Sequence, residues 1–90
     1  MTEVRATIKN RQGIHVRPSG VIINEIENIK SDIILEAKGI SMPLMSIMDL
    51  LALGLQHNEE VLITVSGEDE KNASEKLKEL FEREYDFPPR

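Results

Sequence analysis

The stretch EVLITVSG, residues 60–67, decides the fold. Its apolar and β-branched side chains run almost without a polar break, and a strand of that character belongs at the centre of a sheet rather than at an edge. A strand over 60–66 therefore needs partners on both sides, and the rest of the chain supplies them. Upstream, Val4, Ala6 and Ile8 alternate with Arg5 and Thr7, the period of a strand buried on one face, predicted over 3–9. After Ser31 comes DIILEAKG, a β-rich segment ending at Gly39, which can turn the chain back into ISMPL. That last strand is short, and Pro43 suits it to an edge because proline cannot donate to a ladder.

Three helices fill the gaps. Ile22, Ile23, Ile26 and Ile29 recur three and four apart, predicting one helix over 16–28. In SIMDLLALGL, Ser46 followed three residues later by Asp49 reads as a capping box, and Gly54 supplies a stop, so a short helix lies between them. Downstream of the central strand, Ala73, Leu77, Leu80 and Phe81 define the buried face of a helix over 70–84, with Asp69 at its N-cap. The order is βαββαβα, an α+β two-layer domain with helices on one side and the other sheet face in solvent. Glu36 and Lys38, alternating with Leu35 and Ala37, fit that exposed face. One domain is expected over 1–90, with 86–90 as a short tail.

Composition narrows the chemistry. A formal charge of −5 with no basic block disfavours nucleic acid as a partner. There is no cysteine, and His15 and His57 stand too far apart in sequence for a recognisable zinc pattern, so neither a metal nor another cofactor is expected. No apolar run approaches the roughly 18 residues of a membrane span, and the N-terminal residues lack the apolar core of a signal peptide, which makes the cytoplasm the expected address.

Chemistry concentrates in GIHVRPSG, residues 13–20. Pro18 fits a first helical turn, where a missing N–H costs nothing, so His15 falls at or just before the helix start. Amides and the positive end of the helix dipole favour an anion there, and Arg17 adds a planar fork suited to a phosphoryl or carboxylate group. Nothing at local spacing provides a hydrolytic triad. A covalent nucleophile needs less, since neutral imidazole attacks readily, and the result would be a carrier of phosphate rather than a hydrolase. On these residues alone, His15 is either a helix cap or that nucleophile.

GIHVRPSG, followed about thirty residues later by SIMDLLALGL and then by VSGEDEKNA opening a last helix, resembles the HPr phosphocarriers of the bacterial phosphotransferase system, in one register over 3–85. The resemblance implies an open-faced β-sandwich of four antiparallel strands backed by three helices. It implies that His15 takes phosphate on Nδ1 from Enzyme I, itself charged by phosphoenolpyruvate, with Arg17 assisting, and passes it to IIA-type domains in sugar transport. Ser46 falls where many relatives are phosphorylated by a regulatory kinase. The chain departs from the pattern at Met45 and Asp49, where relatives commonly have a base and a glycine; phosphate on Ser46 would face the Asp49 carboxylate across one turn. Asn24 and Glu27 stand where many relatives are basic.

Four further residues are assigned to partner docking: Ile47, Met48 and Leu51, because a two-turn helix that turns Leu50 and Leu53 inward cannot bury them too, and Gly20, which lets a partner approach closely. His57 reads as a solvated turn residue. Besides the carrier, two functions stay open at this point: a regulatory paralogue acting by protein binding, and a small-ligand module of the βαββαβ kind. A monomer is expected, because a shuttle needs its active face free.

Overall fold

In the computed structural model, which describes residues 1–85, the chain runs β1 (Thr2–Thr7), α1 (Val16–Glu25), β2 (Asp32–Ala37), β3 (Ile40–Pro43), α2 (Ile47–Leu53), β4 (Glu60–Ser66) and α3 (Glu70–Glu82). The expected tail at 86–90 lies outside the described residues. All four strands form one antiparallel sheet in the order β1-β4-β2-β3. The apolar stretch is therefore central, with β1 on one side (Val4 opposite Ile63) and β2 on the other (Leu35 opposite Ile63). Pro43 sits on the edge strand β3, opposite Ile34, where its missing N–H leaves no gap between strands.

Alternation explains the layers. Ile33, Leu35 and Ala37 of β2 and Val61, Ile63 and Val65 of β4 point into the core, while Asp32, Ile34 and Glu36 face solvent. Against the inward face lie Ile22 of α1, Leu50 and Leu53 of α2, and Ala73, Leu77, Leu80 and Phe81 of α3, all buried. Burial of each large side chain here is worth about 1.5–3 kcal/mol. The β2–β3 connection is a two-residue hairpin in which Lys38 and Gly39 take positive φ, 55° and 78°, the combination that matches strand twist. The Lys38 ammonium is held by the Gly54 carbonyl and by Glu59 at 3.0 Å.

Several boundaries differ from the periodicity. β1 begins at Thr2 and ends at Thr7, yet Ile8 still pairs through its N–H to the Glu59 carbonyl (2.8 Å), with Asn58 returning a bond to the Ile8 carbonyl (2.7 Å). α1 stops at Glu25, not residue 28. Beyond it the bonds tighten, with Glu27 N–H to Asn24 and Ile29 N–H to Ile26, so Ile26 and Ile29 pack half-buried from a turn instead of a helical face. α3 ends at Glu82 rather than residue 84. Asp69 holds the N-cap position without capping, because its carboxylate instead accepts from the Lys30 N–H (3.0 Å) and the Ser31 hydroxyl. Those bonds hold it below the usual carboxylate range.

Candidate functional site

His15 is the N-cap of α1, with extended backbone (φ −104°, ψ −155°) and a half-buried ring. Its carbonyl accepts the first helical bond, from Ser19 at 2.9 Å. Pro18 is the third helical residue and has no N–H, which leaves the Val16 and Arg17 amides as the first-turn donors that follow His15. No acidic residue lies in that turn. Arg17 is exposed, and Arg11 lines the same shallow cavity of about 320 Å³ as His15, with Gln12, Leu51, Gln56 and His57.

The loop that presents the ring is wedged in place by backbone. Gly13 has φ +75°, and a Cβ there would lie 2.5 Å from the Leu55 carbonyl oxygen. The contact is close because the same carbonyl accepts from the Ile14 N–H at 2.9 Å. Asn10, itself buried, donates from Nδ2 to the Gly13 carbonyl (2.7 Å) and accepts at Oδ1 from the Tyr85 N–H (2.7 Å), tying the loop to the residues after α3. Tyr85 in turn donates its hydroxyl to the Leu80 carbonyl at 2.6 Å, and burial pushes its phenol up to about 12. On the ring itself, Nε2 meets Gln12 Oε1 at 3.1 Å.

A second feature adjoins the loop. Val16, Met45, Met48 and Ile47 are 63%, 80%, 71% and 36% exposed, an apolar surface spanning the start of α1 and the start of α2. Ile47 and Met48 lie there as expected, whereas Leu51 is half-buried and lines the cavity beside His15. Gly20 is half-buried with room for a Cβ, so nothing within the fold demands glycine at that place. Ser46 caps α2, and the Asp49 carboxylate accepts from the N–H groups of Ser46 (2.9 Å) and Met45 (2.7 Å). His57 is exposed in a turn, as expected, but its place in the cavity was not legible from its neighbours.

Among the described residues, no helix is long and apolar enough to cross a membrane, and no group of three or more His, Asp or Glu is placed to hold a metal ion.

The arrangement has recognisable counterparts. A family described as "PTS HPr component phosphorylation site" matches residues 2–83. The chain belongs to the HPr phosphocarrier family. It is 34% identical over 84 residues to the phosphocarrier protein HPr of Mycoplasma genitalium, covering 92% of this chain and 96% of that one. It is 32% identical to the HPr-like protein Crh of Bacillus subtilis, covering 86% and 91%. Among solved structures, an HPr from Thermoanaerobacter tengcongensis superposes with a TM-score of 0.83 at 31% identity, covering 90% of this chain and 91% of the other. The HPr fold, four antiparallel strands with three helices in βαββαβα order, is thus that of this chain. Within that family the residues missed by sequence reasoning are Asn10, Gly13 and Gln12, which shape the loop, and Val16 and Met45, which enlarge the apolar surface. Their signals were too weak to weigh: a loop glycine after three polar residues, and single apolar side chains outside any period.

Proposed function

We propose that this HPr-family protein carries a phosphoryl group on His15, taking it from Enzyme I and giving it to IIA-type acceptors of the phosphotransferase system. The observation that supports this best is the ring at the N-cap of α1, half-exposed, sharing its cavity with Arg11 and standing two residues before the exposed Arg17, with no acidic residue in the first turn. An incoming phosphoryl group meets amides and guanidinium groups there, and the helix dipole favours its charge by about 0.3–1 kcal/mol at such exposure. The step is a displacement: an imidazole lone pair forms the new P–N bond while the donor's bond to phosphorus breaks and its electron pair leaves with the donor. The half-exposed ring leaves the group accessible to the next acceptor. Arg17 is assigned to holding the phosphoryl oxygens.

The apolar surface of Val16, Met45, Ile47 and Met48, with Leu51 and Gly20 at its border, is where such partners dock; flexible methionines suit more than one of them. Ser46 is assigned to capping, because its amide already donates to the Asp49 carboxylate, and a phosphate there would set two anions on one helix start. Incubation with Enzyme I, phosphoenolpyruvate and magnesium tests the reading. One acid-labile phosphate per chain is expected, and His15→Ala abolishes it. No mass gain on the wild type would overturn it in favour of the regulatory reading, which predicts partner binding that survives His15→Ala.

A further inference from the structure

Gln12 stands three residues before His15 and places its amide oxygen 3.1 Å from Nε2 of the ring. An amide oxygen only accepts, so the ring nitrogen facing it is the one that carries a hydrogen. A neutral imidazole has a single N–H, and fixing it at Nε2 leaves the in-plane lone pair on Nδ1. The ring makes no side-chain bond to the helix start that could oppose this choice. Nor is the Gln12 backbone able to slide: Gly13 is wedged against the Leu55 carbonyl, and the Gly13 carbonyl is taken by Asn10.

We infer that Gln12 is a positioning residue, holding His15 in its Nε2–H tautomer and so directing phosphoryl transfer to Nδ1. The catalytic use of this rests on the carrier reading, whereas the tautomer does not. When the Nδ1 lone pair bonds to phosphorus and the donor leaves with its electrons, Nε2 keeps its hydrogen and the ring becomes cationic. Gln12 Oε1 then accepts a charge-assisted bond, stronger than the one it held before. Holding that proton on the ring also makes Nδ1 a better leaving group for the onward transfer.

Two readouts test this without any phosphotransferase partner. At a pH where the ring is neutral, ¹⁵N spectra of the wild type should show a pyrrole-like Nε2 and a pyridine-like Nδ1. Phosphoramidate, a small phosphoryl donor, should modify Nδ1 as read by ³¹P spectra. Gln12→Met, of similar length with no oxygen, should draw the two ¹⁵N shifts together and move the Nδ1 to Nε2 product ratio by about five-fold, the size of one net hydrogen bond. Gln12→Glu, which keeps an acceptor at that reach, should restore both. Unchanged shifts and ratio in Gln12→Met would overturn the role of Gln12 even if Enzyme I phosphorylates the protein. Conversely, a protein that Enzyme I ignores but that shows the Gln12-dependent tautomer would sink only the carrier reading.

Discussion

The two flanks of the sheet are finished in opposite ways. Along β1, α3 lays polar side chains over the outer edge: Glu82 accepts from the Thr7 N–H at 3.0 Å, Lys78 donates to the Arg5 carbonyl at 2.6 Å, and Glu70 takes the Thr2 hydroxyl at 2.6 Å. An uncovered edge strand is a template for unwanted pairing, and here its outward N–H and C=O groups at residues 5 and 7 are occupied by side chains instead. Where α1 and α2 begin, the opposite holds. Val16, Met45 and Met48 stand exposed, the buried Ser19 hydroxyl has no partner among the described residues, and the loop of His15 is held by backbone contacts at Gly13 and Ile14 and by the Asn10 side chain. Cohesion is thus concentrated on one flank, and the surface that a transfer partner must touch and release is left on the other.

Removing the anchor of the closed flank should have the largest effect. Phe81 is fully buried under the sheet, and Phe81→Ala should cost about 3–5 kcal/mol, read as a shift in the urea midpoint. A loss under about 1 kcal/mol would mean that the core can collapse around the vacancy and that α3 does not anchor this flank.

Next in size is a change on the open flank that acts through backbone. Gly13→Ala forces a β-carbon onto φ +75°, about 1–3 kcal/mol for the conformation alone, and drives it against the Leu55 carbonyl. Because Ile14 bonds that same carbonyl, the strain is relieved only by lifting the loop, which displaces His15. Both the urea midpoint and the rate of phosphorylation should fall. A stable variant with an unchanged rate would show that the ring does not depend on this wedge.

That contact also marks where sequence reasoning ended. Strands and helices were legible because each has its own period: Val4, Ala6 and Ile8 alternate, and Leu77, Leu80 and Phe81 recur on one helical face. His15, Pro18 and Ser46 were legible because helix starts have a local chemistry, and the structure places His15 and Ser46 at N-caps. Gly13 against Leu55 and Asn10 against Tyr85 join residues far apart in the chain, and no local pattern marks such pairs. The end of α1 was misread for a related reason: Ile26 and Ile29 keep the helical spacing of apolar residues, but a turn delivers them to the core just as well.

Acid gives the smallest effect and the sharpest separation of the two flanks. Glu70 is held at about 2, below its ordinary 4.5, chiefly by the N-terminal ammonium, with the Thr2 hydroxyl and the Gly67 amide adding to it. Glu82 is lowered too, first by the Thr7 N–H and then by Lys78. A folded-state value below the unfolded one means that the ionised carboxylate favours the native chain. The contribution of Glu70 is therefore complete above pH 4.5 and disappears as pH falls toward 2. Across that window the urea midpoint of the wild type should fall, and hydrogen exchange at Thr7 should quicken before that of the Ile14 amide, whose partner at Leu55 does not titrate. Glu70→Gln should start lower and lose less over the same range. If both chains lose stability with equal slope, Glu70 is not the group being titrated, and the acid sensitivity of the closed flank must be sought at Glu82, where Glu82→Gln would flatten the curve instead.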